Sequence, residues 1–201
     1  MTEPTRRDEI FASFERLVAR FGLDRVTMRD LASEVGISVG AIYRDFENKD
    51  ALILAVEKKW LGHVNARNAK IVESDAGAED KLYRLIVEHA HLFSKRVRQN
   101  QADFEMLMGA LQLRYIGRKV RDGRKDVLRS MTESAVRVLE EGNASGALAV
   151  DDPRRTAELF VQAFGEYFLA SQVIARPHAR IVRDTDELFQ LLLSAIRPPA
   201  T

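Results

Sequence analysis

The sequence predicts an all-α protein in which a small N-terminal three-helix domain, residues 1–50, precedes a larger helical one, residues 51–201. Three observations carry this prediction. Capped amphipathic segments follow one another from residue 25 to residue 56 and leave no room for a strand. Apolar residues recur at three- and four-residue spacing through the rest of the chain. Glycines and prolines fall between those stripes, where helices stop and start. With 201 residues, 46% hydrophobic and 30% charged, the chain is long and apolar enough to bury a full core.

The elements follow in order. Ile10, Phe11, Phe14, Leu17, Val18 and Phe21 form the apolar stripe of a first helix that covers the next two from behind and that Gly22 ends. Thr27 is a good N-cap with Asp30 as its capping-box partner, and Met28, Leu31, Ala32 and Val35 continue at helical spacing until Gly36. Ser38 caps a short helix whose Ile42 and Phe46 face inward, leaving Val39, Gly40, Tyr43 and Arg44 to look elsewhere. Asn48 caps the next helix, which starts at Lys49 and whose stripe of Leu52, Ile53, Val56, Trp60 and Val64 is long enough to link the two domains and act as a lever. Leu82, Leu85, Ile86, His89 and Phe93 mark a further helix. A Met- and Phe-containing one follows from Gln101, then a long one from about Ile116 to Glu141, with Gly142 and Gly146 breaking the pattern. Asp152 and Pro153 begin a helix carrying Leu159, Phe160, Ala163, Phe164, Tyr167 and Phe168, which Pro177 ends. Asp184 with Glu187 opens the last, whose face of Leu188, Leu191, Leu192, Ala195 and Ile196 runs to Pro198 and Pro199.

Two short helices about a glycine turn are how a helix-turn-helix reads in sequence. Gly40 costs roughly 1 kcal/mol against Ala in a regular helix, a cost that makes sense where the backbone closely approaches another surface such as DNA. Tyr43 either buries its ring beside Phe46 and offers a hydroxyl to a phosphate, or is a plain core residue. Lys49 at a helix start opposes the macrodipole unless an anion is near.

Gly36, Ser38, Gly40, Tyr43, Phe46 and Lys49 stand in the order that resembles the signature of the DNA-binding domain of TetR-family transcriptional regulators. The resemblance covers about residues 8–60, and beyond them the chain matches only in plan. It implies a homodimeric, ligand-responsive regulator, by family habit a repressor, acting on a palindromic operator in double-stranded DNA. Carried position by position, it puts Thr27, Tyr43 and Lys49 on phosphates and lays Ser38, Val39, Gly40 and Arg44 against the major groove, with Arg29 and Ala41 completing the DNA-facing set. Two positions depart from the pattern: Ala41 lacks a hydroxyl often found there, and Asp45 stands where a His or another aromatic is common. Asp45 would repel a nearby phosphate unless Arg44 or Arg29 neutralises it.

Charge neither requires nor forbids this reading. The chain holds 31 Lys and Arg against 30 Asp and Glu, and residues 1–50 hold eight basic against ten acidic side chains, a net of −2. DNA affinity must then come from a focused set of cations and from pairing two domains. A denser basic run, Arg114, Arg118, Lys119, Arg121, Arg124, Lys125 and Arg129, is opposed by Asp122 and Asp126. It reads as a solvated helical face, with a secondary phosphate contact or an anionic ligand's entrance as the sharper alternative. There is no cysteine, the longest apolar runs such as Ala51–Val56 are too short to span a bilayer, and MTEPTRRDE has no apolar signal core, so a cytoplasmic location is the default expectation.

An enzyme is the competing class. Glu88 and His91 form an E-x-x-H pair but lack the second copy that a di-iron bundle needs, His63, His89, His91 and His178 make no H-E-x-x-H pattern, and Ser145 lies in GNASG rather than a G-x-S-x-G elbow. No catalytic residue, cofactor or metal ligand is expected. An architectural DNA-binding protein would not need a large domain rich in Phe and Met, whereas a ligand sensor would. Trp60, His89, Phe93, Phe104, Met108, Leu111, Met131 and Phe164 are the candidate pocket residues for a small apolar or aromatic effector, although such stripes also build plain core. Helices at about 153–176 and 184–197 carry more apolar surface than one contact requires, because Ala157, Phe164, Phe168 and Ser171 lie on a face offset from Phe160 and Tyr167. In the resembled family the last two long helices pair subunits, which sets two recognition helices roughly 34–36 Å apart; a deeper monomeric core is the alternative.

Overall fold

The computed structural model describes residues 5–99, 116–168 and 170–199, and every regular element among them is helical. The helices are α1 (Arg6–Phe21), α2 (Met28–Val35), α3 (Val39–Asp45), α4 (Lys49–Val72), α5 (Ala78–Gln99), α6 (Ile116–Ala144), α7 (Pro153–Ala163), α8 (Ala170–Ile174) and α9 (His178–Ser194), with a 3₁₀ turn at Gly165–Phe168. The helix expected from Gln101 lies outside the described residues. The chain divides into two compact units, Met1–Leu61 with Gln99–Gly123 and Gly62–Arg98 with Arg124–Thr201. No helix among the described residues is long and apolar enough to cross a membrane.

Local chemistry sets the first unit. Thr5 and Thr27 each close a capping box, with Asp8 and Asp30 as the reciprocal carboxylates, and Asn48 Oδ1 accepts from the Ala51 amide at 2.8 Å to start α4. Gly22 and Gly36 end α1 and α2 at φ 81° and 76°, where any side chain would be strained. Ile10, Phe14, Val18, Leu31, Ile42, Leu52 and Ile53 are buried and form the core. Phe21, expected on the α1 stripe, is instead exposed, with the Arg20 guanidinium over its ring at 4.9 Å. It is the last residue of α1, past the point where the helices converge.

In the second unit α5 is buried on nearly every side, through Leu82, Leu85, Ile86, Val87 and Ala90. Lys81, also buried, is neutralised by both Glu141 carboxylate oxygens at 2.8 Å. Gly142 does not break α6, which runs on to Ala144. A Cβ there would lie 2.5 and 2.7 Å from Leu148 Cδ1 and Cγ and 3.0 Å from Ala78 Cβ, so this glycine permits a close approach. Gly146 (φ 73°) makes the turn, and Asn143 holds the returning chain by donating to the Val150 carbonyl at 2.7 Å and accepting from its amide at 2.9 Å.

Two helix boundaries differ from those expected. Asp152 and Pro153 start α7 as read, but the helix stops at Ala163 instead of running to Arg176. Gly165 follows, the Tyr167 amide turns back to the Phe164 carbonyl at 2.9 Å, and Arg98 donates to the Val173 carbonyl in α8 at 2.5 Å and to that of Arg176 just beyond it. The last helix begins after Pro177, not at Asp184, whose carboxylate pairs with Arg180 and Arg183 beside it. The inward face of α9 is Ile181, Thr185, Phe189 and Leu193; Ile196 beyond it is buried, but Leu191 is 67% exposed. On the two expected faces of the 153–176 segment Ala157, Phe160, Phe164, Tyr167 and Phe168 are all buried, the Ser171 side chain lies outside the described residues, and it is Leu159 and Ile174 that lie exposed.

Gly142→Ala gains up to about 1 kcal/mol of helix propensity but forces a packed Leu148 aside at about 1–3 kcal/mol. The expected net is a loss of about 1 kcal/mol in urea unfolding with an unchanged m-value. Wild-type stability or better would show that Leu148 swings away freely.

Candidate nucleic-acid interface

Seven residues make α3, too few to hold a helix without tertiary contacts. Ile42 and Phe46 supply them: both are buried, and Phe46 packs against Phe11 at 5.7 Å between ring centroids with the Arg7 guanidinium 4.9 Å above its ring. Ser38 Oγ caps the helix by accepting from the Ala41 amide at 3.2 Å. Those anchors turn Gly40, Tyr43 and Arg44 outward, with Val39 half-buried beside them. A Cβ at Gly40 would meet nothing within 4 Å, so no intramolecular contact requires glycine there. The face is open to a partner's backbone. Arg29, on α2, is also exposed.

Other expected contacts are placed differently. Ala41 is buried at 6% exposure, so its side chain belongs to the core and not to the DNA-facing set. Tyr43 does not bury its ring beside Phe46; it is 49% exposed, because Phe46 follows α3 in extended backbone (φ −142°) and so leaves the helical face on which the two would meet. Thr27 is exposed, but its hydroxyl donates to Asp30 Oδ2 at 2.7 Å and accepts from the Asp30 amide, leaving no hydroxyl proton for a phosphate while the capping box is closed. Lys49 donates its ammonium to the Leu23 carbonyl. Partial burial lowers its pKa, and it clamps the start of α4 to the corner between α1 and α2.

Asp45 is neutralised, although not by Arg44 or Arg29. Arg6 approaches from 39 residues away, its Nε 3.0 Å from Asp45 Oδ2, and also donates to the Ala41 carbonyl at 3.4 Å. Nothing in the helical spacing signals this pair. Lys59 is a second addition, donating to Asp8 Oδ1 at 2.6 Å across Phe11, and with the Thr5 hydroxyl it holds that carboxyl well below the usual range.

Of the candidate effector residues, His89, Phe93, Met131 and Phe164 are buried in the second unit, whereas Trp60 is half-buried and belongs to the first. Phe104, Met108 and Leu111 lie outside the described residues, as do the side chains of the basic run except Arg129, which is exposed. The His89 ring stands edge-on to Phe168 at 5.2 Å, and burial, aided by the Arg67 charge, pushes its pKa down to about 4. The E-x-x-H pair is divided between separate tasks. Glu88 accepts from Arg67 at 2.8 Å, while His91 Nε2 bonds Thr185 Oγ1 at 2.8 Å. No group of three or more metal-ligating side chains is assembled among the described residues.

A capped two-helix turn with its second helix anchored inward and its outer face open defines a helix-turn-helix DNA-binding protein. Residues 10–56 match the family model of bacterial regulatory proteins, tetR family. The chain is 32% identical over 145 residues to the nucleoid occlusion factor SlmA of Aliivibrio fischeri, covering 61% of this chain and 72% of that protein. It is 26% identical over 153 residues to the transcriptional repressor KstR2 of Mycolicibacterium smegmatis, covering 73% and 69%. The crystal structure of the regulator FadR from Bacillus subtilis in complex with stearoyl-CoA shares the fold with a TM-score of 0.63 at 20% identity, over 94% of this chain and 98% of that one. This chain belongs to the TetR family of transcriptional regulators.

Two outcomes follow from this geometry. Arg6→Ala exposes the Asp45 carboxylate beside the outward face of α3 and is expected to weaken DNA binding about 5- to 10-fold at low salt, with Asp45→Asn in the same chain restoring most of the loss. Titration of a DNA fragment by fluorescence anisotropy reads this, and an additive double mutant would rule out the pairing. The second concerns pH. Above 6.5 neither folded nor unfolded His89 carries a proton. As pH falls towards 4 the unfolded imidazole takes up a proton that the folded one refuses, so stability drops by on the order of 3 kcal/mol. His89→Gln should flatten the pH dependence of the urea midpoint between 6.5 and 5; equal slopes in both proteins would mean the ring is not held neutral.

Proposed function

We propose that this regulator is a homodimeric, ligand-responsive repressor that binds a palindromic operator and works in the cytoplasm. The observation that carries the reading is the outward face of α3, where Gly40, Tyr43 and Arg44 stand exposed around a helix fixed from behind by Ile42 and Phe46. Val39, Gly40 and the Ser38 end of the helix lie against the major groove, Arg44 reaches a base edge or the adjoining phosphate, and Tyr43 and Arg29 neutralise or hydrogen-bond the backbone. Lys49 acts by positioning, through the Leu23 carbonyl.

Dimerisation is supported by apolar side chains left outside the core on the last helices, namely Leu159, Ile174 and Leu191. An effector is supported by the buried His89, Phe93, Met131 and Phe164, which are mostly large and apolar with one polar ring. The KstR2 relative is named as a repressor, which favours repression, and the FadR neighbour carries stearoyl-CoA, which favours an effector with an apolar body.

If each subunit neutralises three to five phosphates, dimer affinity should fall about 10³- to 10⁵-fold between about 50 and 200 mM salt. Selection from a random DNA pool should enrich an inverted repeat, and Leu191→Arg, which alters a side chain exposed in the single subunit, should leave folding intact while lowering both the mass by light scattering and the affinity for that repeat. Recovery of no motif with half-site symmetry, or a strictly monomeric wild type at micromolar concentration, would sink the reading.

A further inference from the structure

One polar side chain of the second unit has no task in the fold or in the DNA-facing surface. Asn68 lies in the later half of α4, one helical turn from Val64 and from Ile71, and is 1% exposed. Neither its Oδ1 nor its Nδ2 has a hydrogen-bond partner among the described residues. A primary amide offers two donors and an acceptor, and native interiors nearly always pair such a group with protein, water or ligand, because leaving it unmet forfeits its hydration without return. A leucine would suit the same helical position without that penalty.

The cation next to it in the helix is already engaged. Arg67, the preceding residue, donates to the Arg84 carbonyl at 3.0 and 3.1 Å and to Glu88 at 2.8 Å. His89 is buried and uncharged at neutral pH. The other buried candidates of this unit, Phe93, Met131 and Phe164, are apolar. Among the described residues an anionic head would therefore compete with Glu88 for Arg67, whereas a neutral head that both donates and accepts complements the amide.

We propose that Asn68 is the polar anchor of the effector site and selects molecules with an uncharged donor–acceptor head, such as a carboxamide, on an apolar body. Its Oδ1 accepts from the head and its Nδ2 donates to it. This rests on the reading of the second unit as effector-binding.

The test uses the full chain and three probes of similar length: octanamide, octanoate and 1-chlorooctane. Octanamide should raise the melting temperature of the wild type most and bind tightest by calorimetry. Asn68→Leu should melt no lower than wild type without probe, lose about 5- to 150-fold in octanamide affinity, the worth of two buried hydrogen bonds, and keep its affinity for 1-chlorooctane. Asn68→Ser, which keeps a smaller donor and acceptor, should fall between them and carries the test if the leucine variant does not fold. Equal octanamide affinity in wild type and Asn68→Leu overturns the anchor while leaving the effector reading intact, as does an amide satisfied by ordered water alone with no preference among heads. Tighter binding of octanoate overturns the neutral-head assignment. Failure of all three probes to bind the wild type counts against the anchor and the effector reading together.

Discussion

The DNA-facing surface depends on the burial of Ile42 and Phe46. Isolated helices of seven residues do not persist in water, so α3 exists only because two side chains one turn apart are driven into the core formed with α1. Burying an Ile and a Phe stabilises by about 1.5–3 kcal/mol each. That suffices to fix which edge of α3 faces in, and by exclusion which faces out. Gly40, Tyr43 and Arg44 are presented because nothing on their side competes for them. The polar contacts refine this placement: Ser38 closes the N-terminus, and Arg6 bonds both the Ala41 carbonyl and Asp45 near the C-terminus.

What was legible in the sequence was local. Thr27 with Asp30, Ser38, Asn48 and Asp152 with Pro153 announce their helices because the capping atoms lie within three residues of the amides they satisfy. The inward stripes of α1, α4 and α5 were legible for the same reason. The exceptions are set by residues far apart in the chain. Gly142 looks like a helix breaker, yet its meaning lies in Ala78 and Leu148, which it allows close. Asp45 looks like an obstacle to DNA until Arg6 is found beside it. Lys49 reads as a phosphate ligand at a helix start, and the Leu23 carbonyl gives its ammonium a structural partner. Each required a contact that no helical period encodes. Asn68 was invisible because a lone Asn on a long helix is ordinarily solvated, and only its burial makes it unusual.

The last helix shows how one element meets two demands. Its inward residues recur every four positions, Ile181, Thr185, Phe189 and Leu193, and the polar member is held by the His91 ring. Tyr83 donates to Asp186 at 2.8 Å and Ser94 Oγ lies 3.0 Å from His178 Nδ1, so three polar pairs between α5 and α9 set their register where apolar packing alone would tolerate a slip. With the inner face so specified, Leu191 stays exposed between these positions, while Leu188 and Leu192 are half-buried. In the sequence Leu188, Leu191 and Leu192 look like the helix's main apolar face, because hydrophobicity alone ranks Leu191 above Thr185. Burial reverses the order, since a threonine whose hydroxyl donates to the Ile181 carbonyl at 2.7 Å while meeting a histidine is fully satisfied inside.

The helix α4 is continuous over 24 residues, about 36 Å at 1.5 Å per residue. Its first turn is tied to the α1–α2 corner by Lys49, and its later half to α5 by Arg67. A molecule buried beside that later half changes DNA affinity only if it binds one arrangement of the helix better than another, and tightness alone shifts nothing. A purely apolar cavity discriminates weakly between small displacements, because dispersion contacts are individually small and non-directional. A hydrogen-bonded head is more demanding, since donor–acceptor geometry degrades within a few tenths of an ångström and tens of degrees. On the proposed reading, an anchor on α4 itself would therefore convert occupancy into a preference for one position of that helix.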